Sequence, residues 1–143
     1  MELEHLMGTK ERYANIQTIL GNCHTGGCLF LCLCSIAEEQ TGKSIDLIDC
    51  IKTSLAKGWI TSEFWVNDSL AILHYLTGKI WSRRTVSKLP SIMDTAEYSI
   101  MIYYNKRTNF HHYKRRGYDT LSSSVTVREG IVEGYYIYSW RHS

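Results

Sequence analysis

The chain changes its hydrophobic rhythm near its middle. From Cys28 to Ala37 the run CLFLCLCSIA is apolar on nearly every side, then turns polar at Glu38. A helix that is hydrophobic all round is a buried one. Gly26 and Gly27 precede it and Gly42 ends it, which are ordinary start and stop signals. A second helix is predicted over SIDLIDCIKTSLAKG, with Leu47, Ile48, Ile51 and Leu55 on one face, Ser44 or Asp46 as cap and Gly58 as stop. A third is predicted over NDSLAILHYLTG, capped by Asn67 or Asp68 and closed by Gly78.

The second half alternates instead. KIWSRRTV, YSIMIYYN, NFHHYKRRG, SVTVREG and EGYYIYSW are rich in β-branched and aromatic residues, the composition of strands. NKRTN and RRGYD carry turn residues between them. Helices followed by a meander of strands give an α+β class. The expected packing is a helical N-terminal half whose buried, Cys-led helix lies on a C-terminal antiparallel sheet.

At 143 residues the chain is expected to form one domain, long enough to bury a core without disulfides or metal. No apolar run approaches twenty residues, so no spanning helix and no membrane partner are expected. MELEHLMGTKERYANIQ is charged and lacks the apolar middle of a signal peptide, which points to a cytoplasmic protein with reduced thiols. The net charge of +2 is too small to suggest nucleic acid. The charge is uneven, however. NKRTNFHHYKRRGY contains five Lys or Arg and no acid. With SRR at 82–84 it offers either a solvated hairpin surface or a basic face for an anionic partner, centred on Lys114, Arg115 and Arg116.

GNCHTGGCLFLCLC concentrates four of the five cysteines. Cys28, Cys32 and Cys34 share one predicted helix, where disulfide geometry is hard to reach. The spacing Cys23-x4-Cys28-x3-Cys32, with His24 alongside, lacks the second ligand pair of a structural zinc site. No metal and no cofactor are therefore expected. Cys32, Cys34 and Cys50 read as core thiols. Cys28 is open between a core thiol and a nucleophile. The first turn of a helix presents unpaired N–H groups and a dipole that favour a thiolate. A nucleophile needs a base, and His111 and His112 are adjacent on a predicted strand. Their side chains must point to opposite faces, so one can meet the helix. Asp119 follows across a turn and could orient the ring.

The order Asn22, Cys28, His112, Asp119 resembles papain-like cysteine peptidases. There an amide side chain six residues before the nucleophile supplies an oxyanion donor, the nucleophile opens a long buried helix, and the His lies on the following sheet. The HY of His112–Tyr113 and the YDTL of Tyr118–Leu121 resemble the peptidase domains that process bacteriocin leaders, with Asn22 in place of the commoner Gln and Thr120 in place of Pro. GGCLFLCLCSIAEEQTGKSI, GWITSEFWVND, LTGK and YDTLSSSVTVREGIVEGYYIY are together similar to a family of unassigned function carried by spirochaete plasmids and by phages. The resemblance implies a papain-like thiol hydrolase of mobile-element origin. Its nucleophile would be Cys28, its base His112 and its orienting acid Asp119, with Asn22 at the oxyanion and a protein or peptide as substrate. The alternative on the same scaffold is an inactive module that binds a host protein or an anionic signalling ligand through its basic stretch.

Overall fold

The computed structural model describes residues 27–107, 109–115 and 130–142, the side chain of Phe110 excepted. Three helices come first: α1 (Cys28–Thr41), α2 (Leu47–Ala56) and α3 (Ser69–Thr77). Four strands follow: β1 (Ile80–Val86), β2 (Glu97–Asn105), β3 (Phe110–Lys114) and β4 (Ile131–Arg141). The α+β class is as the hydrophobic pattern predicts.

The helix ends obey local chemistry. Asp46 and Asp68 cap α2 and α3, each accepting a backbone N–H three residues on, from Asp49 and Ala71, at 3.0 Å. Gly42 and Gly78 close α1 and α3 with φ of 69° and 72°, a left-handed conformation in which a side chain would be strained. In α1, Cys28 and every residue from Phe30 to Ala37 are buried. The helix packs against α3 on one side and β3 on another, which is why no side of it is polar until Glu38.

The sheet is antiparallel throughout, in the order β1-β4-β2-β3. It is not the meander expected from sequence, because β4 enters between β1 and β2. β4 is the longest strand, at 11 residues, and buries Gly134, Ile137 and Tyr138. A strand of that length and apolar content is best satisfied with a neighbour on each side. β1, whose residues from Ser82 to Thr85 are exposed, takes one edge, and β3 takes the other. The predicted strand over SVTVREG lies outside the described residues.

One face of the sheet meets the helices. Tyr98, Ile100, Tyr113, Tyr136, Tyr138, Trp140 and Trp81 join Phe30, Phe64, Ile51, Ile72 and Leu73 in the core. The Phe30 and Phe64 rings meet edge to face at 5.6 Å. β3 is tied to α1 by a polar stripe on an otherwise apolar helix. The Cys32 thiol donates to the Tyr113 carbonyl at 3.5 Å. Arg115 donates to Ser35 Oγ at 2.7 Å and pairs with Glu39. Positions 28, 32, 35 and 39 fall on one helical face, so the stripe that fastens β3 begins at Cys28.

Candidate functional site

α1 begins without a side-chain cap among the described residues. Its cap, Gly27, has no side chain to satisfy the first-turn N–H groups, and the first intrahelical bond is Leu31 N–H to Gly27 O at 2.9 Å. The N–H groups of Cys28, Leu29 and Phe30 have no acceptor within the helix. Cys28 is 5% exposed. Burial pushes its thiol above the ordinary value of 9.0, while backbone groups of Tyr113, Leu29 and Cys28 itself pull the other way by favouring the thiolate. The resting sulfur is therefore a thiol, set where the backbone stabilises its anion.

Cys28 opens onto a cavity of about 330 Å³ between the helical half and the sheet. Leu29 and Tyr113 flank the sulfur. His111 and Arg83 contribute the basic groups, and Trp65 forms the rim. The rim residue is presented by an unusual backbone. Phe64 has φ 66°, an outlier for a bulky side chain. It is 1% exposed whereas Trp65 is 62% exposed, so one ring anchors in the core and the next stands at the cavity mouth. A larger depression of about 670 Å³ runs between Gln40 and Lys79, but neither a thiol nor an imidazole is among the described residues that line it.

The histidine at the cavity is His111. β3 alternates as expected, and the face toward Cys28 carries His111 and Tyr113. His112 lies on the other face, opposite Tyr103 with ring centroids 6.3 Å apart. It is 4% exposed, and burial, then Lys114, lower its pKa to about 4. The sequence reading chose His112 for its following aromatic. The pleat places its neighbour at the cavity instead.

His111 Nε2 lies 3.2 Å from Glu133 Oε1, and its ring is 4.9 Å from that of Tyr104. With Nε2 donating to a carboxylate, the lone pair of the neutral ring sits on Nδ1. Glu133 was not singled out from the sequence. It sits at a β-bulge: Gly134 is opposite Ile102 and Val132 is opposite Tyr103, so Glu133 is the extra residue. The available signal was the Glu-Gly step inside an alternating strand, since an isolated strand glycine often marks a bulge.

Asn22, Asp119 and Arg116 lie outside the described residues, as do Cys23 and His24. The remaining basic candidates do not share a surface. Arg115 is buried against α1 with its guanidinium carbon 5.6 Å from the Tyr98 ring centroid, while Lys114 occupies the face of His112. The stretch that reads as one basic patch is divided by the pleat. Cys32, Cys34 and Cys50 are buried, unbridged thiols. Burial pushes the Cys32 thiol far up, and the neighbouring Cys34 side chain draws the Cys50 thiol down.

Among the described residues no group of three His, Cys, Asp or Glu could hold a metal, and no helix is long and apolar enough to cross a membrane. No family model, curated protein or solved structure matches the chain.

Proposed function

We propose that this protein is a small thiol hydrolase of papain-like plan that cleaves a peptide or isopeptide bond, with Cys28 as nucleophile, His111 as general base and Glu133 as the residue that positions the imidazole. The observation that carries this reading is the shared cavity. A thiol at a helix start that has no side-chain cap among the described residues and an imidazole held through Nε2 by a carboxylate line the same cavity.

The reaction follows from these groups. His111 Nδ1 takes the Cys28 proton as Sγ bonds to the substrate carbonyl carbon. The carbonyl π pair moves to oxygen, where first-turn N–H groups of α1 stabilise the charge. Collapse breaks the C–N bond, and the imidazolium gives its proton to the departing amine. Water, deprotonated by the same nitrogen, then splits the thioester and restores the thiol. Glu133 holds the tautomer throughout and stabilises the imidazolium as it forms. A thiol raised by burial suits this order of events, because the proton is removed during attack and not beforehand. In the papain-like resemblance the Asn22 amide would be a second oxyanion donor. The alternative of an inactive anion-binding module is weakened by Arg115, which is engaged with Ser35 and Glu39 inside the fold.

Iodoacetamide at neutral pH, with site-resolved mass spectrometry, tests the proposal. Cys28 is expected to be modified first, and His111→Ala is expected to slow it while His112→Ala changes it far less. Equal, slow modification of all five cysteines would end the hydrolase reading.

A further inference from the structure

The cavity has a second pole, and its chemistry narrows the substrate. Arg83 projects from β1 with its guanidinium carbon 4.7 Å from the Tyr136 ring centroid. Tyr136 stacks on Tyr113 at 6.0 Å with an interplanar angle of 11°. Tyr113 flanks Cys28, so a two-ring floor runs from the sulfur to the guanidinium. Stacking fixes the plane of the guanidinium and leaves its in-plane N–H fork for a ligand.

Three further observations give this pole a direction. Arg84, the next residue, is bridged to Glu97 at 2.6 Å, but Arg83 has no carboxylate partner among the described residues. No Asp or Glu is among the described residues that line the cavity. Ser69 also lines it. Beside Ser69 and Arg83 stands the buried Tyr138 hydroxyl, which has no hydrogen bond of ordinary geometry among the described residues. The Ser69 hydroxyl and a guanidinium with no carboxylate partner among the described residues thus line the same cavity as the Cys28 thiol.

We infer that the substrate carries a carboxylate close to the reacting carbonyl, and that Arg83 receives it. This rests on the hydrolase reading of Cys28 and extends it to substrate class. Arg83 is exposed on one side, and the Tyr136 ring that covers the other lowers the local dielectric, so the guanidinium attracts an anion more strongly than a fully solvated one would. A neutral isostere forgoes the charge-assisted hydrogen bonds of a carboxylate, so the discrimination acts in favour of acids. The carboxylate could belong to an acidic side chain or to a chain end. The recognition is the same in both, and the two can be told apart.

Matched alkylating reagents separate every term. The iodoacetyl derivatives of glutamate α-amide and of glutamine α-amide differ in a side-chain carboxylate. Those of alanine and of alanine amide differ in a chain-end carboxylate. In each reaction the Cys28 S–C bond forms, the C–I bond breaks with iodide leaving on its electron pair, and the thiol proton passes to His111. The readout is the acid-to-amide rate ratio at Cys28, normalised to the same ratio for 2-mercaptoethanol. Any change in thiol reactivity as such cancels. The expected ratio exceeds that of the free thiol by about tenfold in one of the two pairs, which identifies the source of the carboxylate. Arg83→Gln should abolish that preference and Arg83→Lys should retain part of it, which distinguishes lost charge from lost packing on Tyr136. Ratios equal to those of the free thiol in both pairs, or a preference that survives Arg83→Gln, would overturn the inference and leave the hydrolase reading standing. Failure of all four reagents to modify Cys28 would overturn both.

Discussion

His111 and Glu133 are joined at 3.2 Å although β2 runs between their strands. Regular alternation would send Glu133 to the opposite face from Gly134, Tyr136 and Tyr138. The bulge turns it back, and the carboxylate crosses over β2 to reach the ring. A local defect in the ladder thus gives the imidazole that lines the Cys28 cavity a fixed orientation. Bulges are common where a strand must re-aim a functional side chain.

Glu133→Gln tests that relationship. The amide keeps the shape and removes the charge that favours the imidazolium. Both side chains are more than 40% exposed, so the pair adds at most about 1 kcal/mol to stability. The expected outcome is a loss on the order of 10- to 100-fold in Cys28 alkylation rate with an unchanged urea midpoint. An unchanged rate would show that the carboxylate does not position the base.

Gly134→Ala approaches the same bulge through the backbone. A Cβ at Gly134 would lie 2.7 Å from the Val86 carbonyl oxygen, a backbone atom that cannot swing aside. β1 and β4 must separate, at a cost of about 1–3 kcal/mol, and Glu133 moves with them. Both stability and alkylation rate should fall. In a Glu133→Gln background the substitution should cost stability alone, since the contact is already lost. If the two rate losses simply multiply, the bulge and the carboxylate act separately.

These particulars show where sequence stops being informative. Asp46, Asp68, Gly42 and Gly78 were legible as helix ends because capping is decided within four residues. The burial of α1 was legible because no arrangement leaves such a helix exposed. The choice between His111 and His112 was not, since alternation fixes only that they differ and the helix packing decides which faces the sulfur. Glu133 was hidden because a bulge inverts the face that counting assigns. Strand order was hidden because β4 finds its neighbours by competition among distant segments. Arg115 reads as a surface cation until Ser35, 80 residues earlier in the chain, is placed against it.

Arg115 therefore carries stability. Arg115→Met keeps the buried stem and leaves Ser35 and Glu39 without their donor. A buried hydroxyl that loses its partner costs about 1–3 kcal/mol, and the half-exposed Glu39 is partly rescued by water. A urea titration should show a loss of about 2 kcal/mol, and Arg115→Glu a larger one, with two carboxylates brought together. A stability for Arg115→Met within about 0.5 kcal/mol of the parent would mean the contact with α1 contributes little.

His112 makes acid stability a test of its burial. Its pKa falls from 6.5 to about 4 on folding because burial, with Lys114 adding to it, disfavours the imidazolium. Between those values the unfolded chain binds a proton that the folded chain does not, so stability rises with pH across this window. The contribution is complete above pH 6.5 and is lost as pH falls through 4. At about 1.4 kcal/mol per pKa unit it amounts to roughly 3 kcal/mol. Carboxylates titrate nearby, so the measurement is a difference: urea midpoints from pH 4 to pH 7 for the parent and for His112→Gln. The parent curve should climb more steeply, and the gap between the two should widen by that amount. Parallel curves would place the His112 ring in water and overturn its assignment to a buried position on the far face of β3.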